Sequence, residues 1–162
     1  SEKEYEFISR KPNLTKDSFY PHEPEGVGMV CFSEDKTKVL LEKEFRLACN
    51  AWVYNFPAGL IDPNEAVMDT AKRELYEETG VHLVDIIDEL PPSMASQGTS
   101  DEMMSIVICT CKGDITGSCY ACEEIEAGWY SKDDIKKLFE QKAYMSVRTQ
   151  MFLWAWINKD LL

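Results

Sequence analysis

Three carboxylates draw the eye by type and spacing: Glu74, Glu77 and Glu78. At about 100° per residue of helix they fall within one narrow arc. Like charges four apart cost a helix a few tenths of a kcal/mol, so this face needs an offsetting partner. A hard divalent cation is the natural one: Mg²⁺ or Mn²⁺ takes oxygen ligands, keeps several waters and bridges to phosphates. A second row at four-residue spacing, Glu65, Asp69, Arg73 and Glu77, puts Arg73 within reach of Asp69 or Glu77, where it can orient the acidic face. The competing reading is a solvated acidic face with no ligand, as most charge runs are.

The element that must position these side chains is a helix ahead of Gly80, which is suited to end it. Val67, Ala71 and Leu75 give it an apolar row. Asp62, Pro63 and Glu65 predict a capped start with a capping box, beginning between Pro63 and Val67. Strands are expected over Val27–Phe32, Val39–Phe45, Val53–Phe56, His82–Leu90, Met103–Cys111 and Ile125–Tyr130. The first two are joined by a turn at Ser33–Lys36. Pro91-Pro92 is expected to close the fourth, and Gly113–Glu123 to form a hairpin-like connection between the last two. Helices are expected over Asp133–Gln141, capped by Ser131, and over Ser146–Asn158, with Trp154 and Trp156 in the core or at a homodimer interface. Residues 1–24 read as a short leading segment with Tyr5, Phe7 and Ile8 as an edge strand, and residues 25–162 as one domain. Interleaved strands and helices predict an α/β fold with a mixed sheet between helices.

The stretch Gly59 to Val81, with Glu65 and then Arg73-Glu74-Leu75-Tyr76-Glu77-Glu78-Thr79-Gly80-Val81, resembles the Nudix box at every fixed position. The resemblance implies an α/β/α sandwich that hydrolyses a nucleoside diphosphate linked to another group, with divalent metal held by Glu74, Glu77 and Glu78. Phe45-Arg46 and Phe56-Pro57-Ala58-Gly59 resemble more narrowly the ADP-ribose pyrophosphatase branch. That likeness implies substrate contacts from Phe45 and Arg46, a metal contact from the Ala58 carbonyl, and cleavage of ADP-ribose or a related ADP-sugar to AMP and a sugar phosphate. Ser96 to Glu102 resembles a loop of the same branch, which makes Glu102 a substrate-site candidate, although Gln97 stands where the branch has proline. The branch also implies a catalytic glutamate on the loop before the last strand. Glu123 and Glu124 fit that place, and Glu126 fits it less well because it lies inside the expected strand.

Two other readings stand beside this one. A Nudix hydrolase of nucleoside triphosphates, including oxidised ones, would release pyrophosphate; a catalytically silent nucleotide sensor would release nothing. The net charge of −12, from 29 acidic and 17 basic residues, opposes binding of a long nucleic acid through its backbone. It does not oppose a small nucleotide, since bound metal inverts the local field. No apolar run approaches a membrane span. The six cysteines, with no sign of secretion, read as reduced thiols of a cytoplasmic protein. Cys109 and Cys111 facing Cys119 and Cys122 across a hairpin would make a zinc site; alternatively Cys109 and Cys111 are small hydrophobes on a buried strand.

Overall fold

The computed structural model describes residues 4–15, 17–18, 23–117 and 125–159. The strands are β1 (Gly26–Ser33), β2 (Lys38–Arg46), β3 (Ala51–Asn55), β4 (Ala58–Leu60), β5 (His82–Met94), β6 (Met103–Lys112) and β7 (Ile125–Ser131). The α-helices are α1 (Val67–Thr79), α2 (Lys132–Glu140) and α3 (Val147–Asn158). They form a mixed α/β fold around one seven-stranded sheet of order β3-β2-β1-β6-β5, with β4 added beside β1 and β7 beside β2. β1 and β6 are parallel, in register from Gly26↔Met104 to Ser33↔Cys111, and the other pairs are antiparallel.

The sheet is apolar on both faces, as a sheet between two helical layers must be. Val27, Met29 and Cys31 of β1, with Val107, Cys109 and Cys111 of β6, pack beneath Ala71 and Leu75 of α1. The alternate residues, Val30 and Phe32 of β1 with Val39 and Leu41 of β2, pack against Ile135 and Leu138 of α2 and Leu153 and Trp156 of α3.

The opening that matters lies inside the sheet. β1 and β2 form a hairpin whose turn is fixed by Asp35, which accepts from Ser33 and Thr37 at 2.6 and 2.8 Å. Their register is the single pair Phe32↔Val39. Beyond it β1 turns to β4 through Gly26–Gly28, while β2 turns to β3 through Glu42–Arg46. The two strands therefore splay, and a cleft opens between them.

Several expectations change. Among its described residues the leading segment makes one parallel bridge, Ile8↔Ser100, instead of an edge strand, and Tyr5 and Ile8 stay exposed. β5 continues through Pro91 and Pro92 to Met94, across a register shift between Leu90 and Ser93. It is an edge strand, where the lost N–H groups cost no ladder bond. β7 pairs with β2 and not with β6, so no hairpin joins β6 to β7. Trp156 is buried but Trp154 is half-exposed. Among the described residues no helix is long and apolar enough to cross a membrane.

Candidate active site

α1 begins at Val67 behind Ala66, which has no side-chain cap to offer. The expected capping pair closes a turn upstream instead: Asp62 N–H donates to Glu65 Oε2 at 3.3 Å, Glu65 N–H donates to the Asp62 carbonyl at 3.0 Å, and Asn64 adopts φ 67°. Pro63 lies in this turn and not in the helix. Gly80 ends α1 at φ 79°, a conformation that disfavours any side chain. A Cβ there would also strike the Thr116 hydroxyl.

Arg73 ties these pieces together. Its guanidinium donates to both oxygens of Glu65 at 2.9 and 2.8 Å, to Glu74 at 2.8 Å, to Glu77 at 3.1 Å and to the Leu60 carbonyl at 3.2 Å. It thus takes Glu65, not the expected Asp69, along with Glu77. The guanidinium hydrogen bond, reinforced by the Thr70 hydroxyl, lowers the Glu65 carboxyl to about 2. The same partners, Glu65 foremost, push Arg73 further above its already high value. Gly59 completes the cradle, because a Cβ at that position would overlap the Glu74 carboxylate. The box glycine is required by this close approach of backbone and side chain.

The result is a cleft of about 500 Å³ whose wall includes Ala58, Glu74, Glu78, Arg46 and Glu102. Glu77 is held alongside by Arg73 and does not line it. Arg46 reaches the cleft while bonded to Glu44 at 2.6 Å. Phe45, expected to touch substrate, lines neither this cleft nor the cavity beside it. Successive strand residues face opposite ways, and Phe45 packs edge-on against Trp52 at 5.8 Å. Glu123 and Glu124, candidates for the base, lie outside the described residues.

Composition and spacing did not single out Arg10, Glu44, Met104 or Arg148, which also line the cleft. Arg10 arrives with the leading segment. Ile8 N–H donates to the Thr99 carbonyl at 2.7 Å, Ser9 to Asp101 at 2.9 Å and Arg10 to Glu102 at 3.3 Å. Arg148 arrives with α3. Nothing in the local sequence signals either one, since each reaches the cleft only through long-range packing.

The donors around Ala58, Glu74 and Glu78 are all oxygen, which fits a hard divalent ion and not a soft one. The box carboxylates are not drawn into one tight trio, because Arg73 engages Glu74 and Glu77. Among the described residues the trio of ligand atoms within 4.8 Å of one another is Cys31, Cys109 and Cys111. Their sulfurs are 3.6 and 3.5 Å apart beneath α1. Cys109 and Cys111 share a cluster with Cys31, while Cys119 and Cys122, their partners in the hairpin zinc alternative, lie outside the described residues. Among the described residues the three sulfurs have apolar walls and no fourth ligand beside them, and burial pushes the Cys31 thiol up. They pack as small hydrophobes.

A second cavity of about 400 Å³ adjoins the cleft where β1 and β2 separate. Phe56, Ile106 and Phe152 give it apolar walls, and Glu42, Glu44 and Asn55 a polar edge. The two spaces share Glu44, Arg46, Ala58, Glu78, Met104 and Arg148.

Residues 22–149 match the family described as NUDIX domain. Similar proteins include a putative nudix hydrolase 2 of Caenorhabditis elegans, 32% identical over 81 residues, 50% of this chain and 36% of that protein. An RNA pyrophosphohydrolase of Bartonella bacilliformis is 37% identical over 70 residues, 41% of each chain. Nudix hydrolase 19, chloroplastic, of Arabidopsis thaliana is 26% identical over 129 residues, 77% of this chain and 28% of that protein. The chain thus spans less than half the length of these curated relatives. The matched stretch nonetheless contains the whole sheet, α1 with its carboxylates and the glycines that cradle them, and the chain belongs to the Nudix family.

Proposed function

We propose that this chain is a divalent-metal-dependent hydrolase of nucleoside diphosphates linked to a second group, with ADP-ribose or a related ADP-sugar as substrate and AMP and a sugar phosphate as products. One observation carries the reading: Ala58, Glu74 and Glu78 share a cleft with Arg46, and that cleft continues into a cavity with aromatic walls. The cleft suits a diphosphate and the cavity suits one of the groups attached to it.

Glu74, Glu78 and the Ala58 carbonyl would hold Mg²⁺ or Mn²⁺, with Glu77 beside them; the ion supplies charge neutralisation at the diphosphate and a more acidic water. Arg73 holds the Glu74 carboxylate in place. Arg46 gives up part of its contact with Glu44 to grip a phosphate oxygen, a match its forked donors favour. Glu123 or Glu124 takes the proton from the attacking water. The water oxygen bonds to one phosphorus, the bond from that phosphorus to the bridging oxygen breaks, and the other phosphate leaves with the bridging oxygen. Positioning and charge stabilisation supply most of the rate.

The likeness to RNA pyrophosphohydrolases favours a second reading, release of pyrophosphate from a triphosphate; the net charge of −12 opposes a polymer as its carrier. Incubation with Mg²⁺ and ADP-ribose, nucleoside triphosphates or 5′-triphosphorylated RNA, followed by product identification, separates the two. Equal amounts of AMP and ribose phosphate are expected. Inert ADP-ribose beside consumption of a triphosphate would overturn the proposal.

A further inference from the structure

Three arginines line the cleft, and they differ in what they already hold. Arg46 is bonded to Glu44 at 2.6 Å and Arg10 to Glu102 at 3.3 Å. Arg148 lines both the cleft and the apolar cavity, so it stands at their junction. Its side-chain contact is a donation to the Met104 sulfur at 3.3 Å, and thioether sulfur is a weak acceptor. Among the described residues no carboxylate forms an ion pair with it.

Its position is set from behind. Asn55 on β3 accepts from the Ser146 N–H at 3.3 Å and from the Thr149 hydroxyl at 3.4 Å. Ser146 in turn caps α3 by accepting from the Thr149 N–H at 3.2 Å. Thr149 is buried. The first turn of α3 is thereby docked on the sheet with Arg148 directed over the junction. A cation in that turn opposes the helix dipole, which favours negative charge there. Helix stability therefore does not account for Arg148, while an anionic ligand beside it does.

We infer that Arg148 reads substrate: it binds the non-bridging oxygens of that phosphate of the diphosphate which carries the group in the apolar cavity. The ligand class is a nucleoside 5′-phosphate unit, ring system in the cavity and phosphate at the junction. Met104 is a soft resting contact that the guanidinium exchanges for phosphate oxygen. The inference rests on the proposed diphosphate-linked substrate and adds the residue that makes the phosphate, not the ring alone, the feature recognised.

The test is equilibrium binding of AMP, inorganic phosphate and adenosine to the full chain and to Arg148→Ala and Arg148→Lys, read by calorimetry. The full chain should bind AMP more tightly than adenosine. Arg148→Ala should lower AMP affinity by about 10-fold or more, the scale of a lost hydrogen bond to a charged group, and leave adenosine affinity as it was. Arg148→Lys should restore part of the loss, since it returns the charge without the fork. The KM for the diphosphate substrate should rise by a factor similar to the loss of AMP affinity. Equal losses for AMP and adenosine, no loss for either, or a full chain that does not distinguish AMP from adenosine would overturn the inference. Hydrolysis of ADP-ribose with unchanged KM in Arg148→Ala would retain the function and remove this role. AMP discrimination that depends on Arg148, without any hydrolysis, would retain the role and remove the function.

Discussion

The two faces of the sheet are packed by different means. Under α1 the buried core is valine, leucine, alanine, Met29 and three cysteines, with Ala71, Leu75, Cys109 and Cys111 essentially inaccessible and Trp129 packed at its margin. Small side chains let the helix close tightly on the strands. Under α2 and α3 rings join the aliphatic side chains: Phe32 meets Phe152 at 6.2 Å and Trp156 at 5.9 Å, and Phe56 meets Phe152 at 5.4 Å. Rings in tilted and edge-on contact do not fill space near the splayed strands, and about 400 Å³ stays open there. The closed face supports groups that must not move; the open face leaves room for a ligand. Glu78 belongs to both, being fixed on α1 while lining the cleft and the cavity.

The sharpest way to separate the faces is to change chemistry at their meeting point without changing shape. Glu78→Gln should lower kcat by about 100-fold or more, as expected when a metal ligand loses its charge. Thermal unfolding should be nearly unaffected, because neutralising Glu78 relieves the like-charge spacing of four residues to Glu74. Turnover near that of the parent would remove Glu78 from the metal site.

Next in size is a packing comparison. Leu75→Ala on the closed face should cost about 2–5 kcal/mol of stability. Phe152→Leu beside the cavity should cost less than about 1.5 kcal/mol while raising KM. Denaturant unfolding of both variants measures the contrast, and equal losses would mean the faces are not mechanically distinct.

The smallest effect concerns acid. The Arg73 guanidinium lowers Glu65 from its ordinary 4.5 to about 2. A depressed carboxyl stabilises the fold above its unfolded value, and that stability disappears as pH falls through the folded one. The stability difference between the parent and Glu65→Gln should therefore be full above about 4.5 and close as pH approaches about 2. A difference that stays constant from pH 7 to pH 2 would show that Glu65 acts through packing alone.

The layers and α1 were legible because they rest on local pattern: the apolar row through Ala71 and Leu75, the glutamate arc that borders it through the buried Glu78, the alternation in β1 and β6, and the Ser131 cap of α2. Mistakes arose where tertiary context outweighed local preference. Pro91 and Pro92 signal a break, yet an edge position lets β5 run past them. Gly113–Glu123 between two apolar strands suggests a hairpin-like connection, yet β7 crosses to β2, a pairing set by the whole sheet. Phe45 and Arg46 are adjacent in sequence, yet a strand sends them to opposite sides. Arg10 and Arg148 enter the cleft from the two ends of the chain, and only the folded arrangement reveals them.

The fit of Gly59 against Glu74 bears on how fast the centre fills. Arg73 on one side and a bare backbone on the other leave this carboxylate little rotational freedom. On the proposed metal role of Glu74, an arriving ion would meet a ligand already in position, with no side-chain search to wait for. The pace of loading would then fall to the ion's own release of water, which Mg²⁺ gives up reluctantly. A faster-exchanging cation of similar size should load sooner than Mg²⁺, and an alanine in place of Gly59 should blunt that distinction.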